Sequence, residues 1–84
     1  MERIPTFIDG GEVVAVADVS ASIPGLRPIK RLAIARLLAE PDLYLFYCSE
    51  DWEVITYATH PTIAAAKTRA RFEYAGMAVR WIER

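Results

Sequence analysis

Apolar positions in this chain alternate between two spacings, and the change from one to the other predicts its elements. Thr6-Phe7-Ile8 is a short apolar segment, and Asp9-Gly10-Gly11 after it is a turn signal because glycine accepts positive φ without steric penalty. Glu12 to Val19 is rich in β-branched residues with small alanines between them, and it is apolar on both alternating faces. That pattern predicts a central strand. Ser20 to Gly25 reads as a loop punctuated by Pro24 and Gly25. Pro28 suits the first turn of a helix, where a missing N–H does no harm. The spacing then predicts a first helix from near Arg27 to Glu40, stopped by Pro41. On a helical wheel Leu26, Ile29, Ala33, Ile34, Leu37 and Leu38 fill one arc, while Arg27, Arg31 and Arg36 lie outside it, with Leu32 on the same exposed side, and give a basic outer face.

In the second half, Asp42 to Cys48 and Trp52 to Ala58 read as aromatic-rich strands joined through Ser49-Glu50-Asp51, a length typical of a β-hairpin. A second helix follows, capped by either His60 or Thr62. Ile63, Ala66, Ala70 and Tyr74 form its apolar stripe, and Gly76 is placed to end it. Met77 to Glu83 alternates as a closing strand. The resulting order β-α-β-β-α-β predicts an α+β, ferredoxin-like domain, a four-stranded antiparallel sheet with two helices on one face. The competing reading is a simpler α+β fold whose N-terminal segment is a hairpin beside the aromatic one. If Tyr44, Phe46 and Cys48, or their neighbours Leu45 and Tyr47, point to the open face of such a sheet, they leave an aromatic surface for a partner to cover.

Composition changes the picture in two ways. The 84 residues, 54% of them hydrophobic, fit a single domain spanning residues 1–84 with a thin core. A lone Cys48 cannot form an internal disulfide, and with His60 it falls short of a zinc set, so association, most simply a homodimer or a small protein partner, is the remaining means of stabilisation. The net charge of −1 argues against nucleic acid or an anionic membrane as partner. No apolar run approaches the length of a membrane span, and with an unpaired cysteine the expected compartment is the cytoplasm.

Candidate chemistry adds little. His60 is the single histidine, and its place before Pro61 favours a role at the start of the helix over general-base catalysis. Cys48 ends an apolar strand, where a thiol behaves as a small hydrophobe. Glu50, Asp51 and Glu53 lack the spacing of a calcium loop, so no metal or cofactor is expected. Arg27, Lys30 and Arg31, with Lys67, Arg69 and Arg71, form a joint basic surface only if both helices lie side by side. The Lys/Arg-Gly-aromatic run of RNA-binding ferredoxin-like domains is absent from Trp52 to Ala58.

Two resemblances accompany these readings. Ile23-Pro24-Gly25-Leu26, with Pro28 following, resembles the strand-to-helix turn of ACT domains, regulatory modules that bind amino acids between paired subunits. That likeness implies a ligand approaching the backbone at Gly25. From Leu45 to Trp81, the run Leu-Phe-Tyr-Cys-Ser-Glu-Asp-Trp-Glu-Val, then His60 and Thr62, then Phe72-Glu73-Tyr74 and Gly76, looks like small uncharacterised bacterial proteins. It implies a bacterial origin and no activity. The expected function is a non-catalytic interaction module acting as a homodimer, or alternatively an ACT-like regulatory domain. Gly25, His60, Tyr44 and Phe46 are the candidate ligand or interface residues.

Overall fold

A computed structural model describes residues 4–21, 28–74 and 79–83. Its elements are β1 (Phe7–Ile8), β2 (Gly11–Ala21), β3 (Ile29–Leu37), β4 (Leu43–Cys48), β5 (Val54–His60), α1 (Ile63–Glu73) and β6 (Ile82–Glu83). Strands β1 to β5 follow one another in chain order, every pair antiparallel, in a sheet that curls into a half-barrel. Strand β6 returns to pair with β2 at Ala15 and Val16, on the side where β1 holds Gly11 and Glu12.

This arrangement overturns the ferredoxin-like β-α-β-β-α-β expectation. The first predicted helix, Arg27 to Glu40, is instead β3, paired to β2 from Gly11↔Leu37 to Ala21↔Ile29 and to β4 from Arg31↔Cys48 to Arg36↔Leu43. Among the described residues α1 is the one helix, so there are not two on one face. The physical reason lies in the curl. Ile29, Leu32 and Ile34 join the core under the helix while Ala33 and Ala35 join the core on the other face, so the strand is apolar on both sides and has no period-two signature. The same residues also fit a helical arc, and only the non-local pairing decides between the two.

The hairpin reading stands with shifted limits: β4 and β5 pair from Leu43↔His60 to Cys48↔Val54 around a loop over residues 49–53. Asp9 and Gly10, both at positive φ (47° and 82°), turn β1 into β2. An added Cβ on Gly11 would come within 2.6 Å of Leu37 Cδ1 and 3.0 Å of Ala35 Cβ, so this start of β2 tolerates no larger side chain without movement. Pro28 precedes a strand rather than opening a helix, a place where its missing N–H also does no harm. Thr62 is the N-cap of α1, its Oγ1 accepting from the Ala65 N–H at 3.0 Å. The predicted stripe packs as expected, with Ala66 and Ala70 fully buried, Tyr74 nearly so and Ile63 against them. Gly25, Gly76 and Met77 lie outside the described residues.

Two cores result, one on each face of the sheet. Under α1, Ala15, Leu32, Ile34, Leu45 and Tyr47 meet Ala66, Ala70 and Tyr74. On the opposite face Val13, Val16, Ala33, Ala35, Phe46 and Cys48 close on one another.

Candidate interaction surface

Alternation along β4 sends Leu43, Leu45 and Tyr47 toward the helix and Tyr44, Phe46 and Cys48 away from it. Register with β5 then sets Phe46 opposite Tyr57 and Tyr44 opposite Thr59. The three rings on the helix-free face contact one another, with centroids 5.7 Å apart for Tyr44 and Phe46, 5.4 Å for Tyr44 and Tyr57, and 6.4 Å for Phe46 and Tyr57. Phe46 is buried, Tyr44 half-buried, and Tyr57 is 58% exposed, so the cluster runs from core to solvent. Glu40, then partial burial, then Tyr57 and Asp42, push the Tyr44 phenol above its ordinary value, and it carries its proton at neutral pH.

Beside this cluster is the sheet's free margin. Strand β5 pairs with β4 alone among the described strands, whereas the other margin, on β2, is shared by β1 and β6. Its seven residues, Val-Ile-Thr-Tyr-Ala-Thr-His, include no lysine, arginine, aspartate, glutamate or proline. Sheet margins are normally guarded by such residues, because an unpaired row of N–H and C=O groups is a template for another strand.

Of the candidates from sequence, Tyr44 and Phe46 are brought together and His60 is not part of their cluster. His60 ends β5 opposite Leu43, at the other end of the hairpin from Cys48 and Val54. Five ladder steps separate the two, about 17 Å at roughly 3.4 Å per residue, so they form no thiol–imidazole pair. The His60 Nε2 is shielded from solvent and has no hydrogen-bond partner among the described residues. Burial, helped by the charge of Asp9, pushes the Cys48 thiol up to about 12, which removes the thiolate needed for nucleophilic chemistry.

The basic surface across two helices dissolves with the first helix. Arg31 is instead a buried strand residue that donates to Asp18 at 2.8 Å, with its guanidinium 5.0 Å from the centre of the Trp52 ring. Lys67 pairs with Glu83 and Arg69 with Glu73. In the 49–53 loop the Ser49 hydroxyl accepts from the Asp51 and Glu53 amides, so these acidic residues belong to an ordered solvated turn.

Sequence reasoning missed Tyr57 as the third ring. The signal was available in the alternation of the hairpin, but only the register, slipped by a bulge between Tyr47 and Cys48, shows that Tyr57 faces Phe46. No family model, curated protein or solved structure matches the chain.

Proposed function

We propose that this chain is a non-catalytic interaction module that works as a homodimer in the cytoplasm. The observation that supports it is the β5 margin, free of Lys, Arg, Asp and Glu and paired with β4 alone among the described strands, next to the exposed side of the Tyr44–Phe46–Tyr57 cluster. Main-chain groups on such a margin gain from adding a strand, and exposed aromatic surface beside it adds apolar area to the contact. A buried, protonated Cys48 and the separation of His60 from it agree with a role in binding rather than catalysis. The ACT-like alternative is not carried further, because its βαββαβ frame is replaced by the curled sheet.

Light scattering across a size-exclusion peak tests the reading. The expected mass is twice the 9.4 kDa of one chain. Thr59→Lys, a charge placed on the exposed margin, should shift the peak to the single-chain mass while the circular dichroism spectrum stays unchanged. A single-chain mass for the unaltered protein at all concentrations would sink the homodimer.

A further inference from the structure

One row of side chains crosses β1 to β5 on the face that carries α1. Phe7 stands opposite Glu12, Glu12 opposite Arg36, Arg36 opposite Leu43, and Leu43 opposite His60. Residues directly opposite one another share a face, and Leu43 packs in the core under the helix. Because α1 rests mainly on β4 and β5, the other end of the row is left outside its cover. Phe7, Glu12 and Arg36 are all exposed there, Phe7 by 63%.

The turn after β3 supplies a second wall. It is closed by the Glu40 N–H donating to the Leu37 carbonyl and by Ala39 at positive φ, and it leaves Leu38 95% exposed. The open cavity so bounded measures about 520 Å³, with Phe7, Leu37 and Leu38 as its apolar lining and Glu12, Arg36 and Glu40 as its charged groups. Small-molecule sites usually fall at roughly 300–1,000 Å³. Glu12 and Arg36 carry opposite charges on opposed positions, yet among the described residues neither has an ion pair. We infer that this cavity binds a small zwitterion with an apolar body, the chemistry of a free hydrophobic α-amino acid. Opposed residues hold their Cβ atoms only about 5 Å apart, so a ligand with both charges on one carbon can meet both heads. Its carboxylate accepts from the Arg36 guanidinium, whose paired N–H groups fit such an anion. Its ammonium donates to Glu12, with Glu40 as a second acceptor, and its side chain covers Phe7, Leu37 and Leu38. A simple carboxylate would face two acidic side chains, and a simple amine would leave Arg36 unmatched. Strand β4 separates the cavity from β5, so its occupancy does not depend on whether two copies pair.

Amide shifts of the isotope-labelled chain, titrated in parallel with L-phenylalanine, phenylpropanoate and phenylethylamine, test the site. Phenylalanine should move Phe7, Gly10, Glu12 and residues 36–40 and saturate. The two single-charge analogues should bind about tenfold more weakly, the usual result of losing one hydrogen-bonded charge. Arg36→Gln and Glu12→Gln should each weaken phenylalanine by a similar factor. Both positions are exposed, so the spectrum away from the cavity should match that of the unaltered chain. The analogues make the same test without any substitution. No movement at these residues in tens of millimolar phenylalanine, equal binding of either analogue, or full binding in either variant would overturn the assignment.

Discussion

Tyr47 ties the helix to the sheet through one polar atom. Its ring is buried under α1 and its hydroxyl donates to the Glu73 carboxylate, which also meets Arg69. Tyr47→Phe keeps the packing and removes the bond, for an expected loss of about 1 kcal/mol in urea unfolding, near the middle of the range for single hydrogen bonds. Burial and then Glu73 push the Tyr47 phenol well above its ordinary 10.0, and burial raises Cys48 from 9.0 to about 12. Both groups are neutral in the folded chain, and the unfolded chain loses these protons first. The contribution of these two groups to stability is thus fully present below pH 9 and is lost as pH rises from 9 toward 12. Denaturant titrations at stepped pH should show the fall, with a shallower slope in Tyr47→Phe above pH 10. Arg31 shows what residue types hide: three neighbouring basic side chains read as a solvated helix face, yet Arg31 is buried against Asp18 and Trp52. A charge's burial depends on a partner 13 residues away, which no local pattern carries.

At the level of elements, the hairpin and α1 were legible because each declares itself locally. Aromatic strands separated by a short polar loop, and alanines at helical spacing behind a threonine cap, need no distant partner to be read. Thr62→Ala should cost about 1 kcal/mol by thermal unfolding, the usual worth of an N-cap. Strand β3 was illegible for the opposite reason. Ile-Lys-Arg-Leu-Ala-Ile-Ala-Arg-Leu satisfies a helical arc as well as a strand buried on both faces, and its state is set by β2 and β4. The turn after it carries a cost: Ala39 stands at φ 67°, where an L residue with a Cβ is disfavoured. Ala39→Gly should raise the unfolding midpoint, by an amount worth up to about 1 kcal/mol. Alternation along β4 set Tyr44 and Phe46 on one face without saying which face is free of the helix, Tyr57 needed the pairing, and Gly25 lies outside the described residues.

For the whole molecule, the distribution of margins matters more than any single contact. On one side of the sheet the two-residue strands β1 and β6 pair with Gly11, Glu12, Ala15 and Val16 of β2, and on the other side stand the seven residues of β5. A chain whose native state is a dimer gains stability by mass action, so its melting temperature should rise with protein concentration. Calorimetry at concentrations spanning two decades or so checks this, and the dependence should vanish in Thr59→Lys. Among the described residues no helix is long and apolar enough to cross a membrane.

The burial of Cys48 supplies an internal clock for that margin. Its sulfur lies on β4 between Arg31 of β3 and Val54 of β5, fully buried, so a thiol reagent reaches it only when this packing opens, and release of the hairpin is one such opening. If a second copy is docked on β5, opening the hairpin must first release it. The labelling half-time of one unmodified cysteine would therefore lengthen as the solution is concentrated, reporting assembly through a residue that is not at the interface.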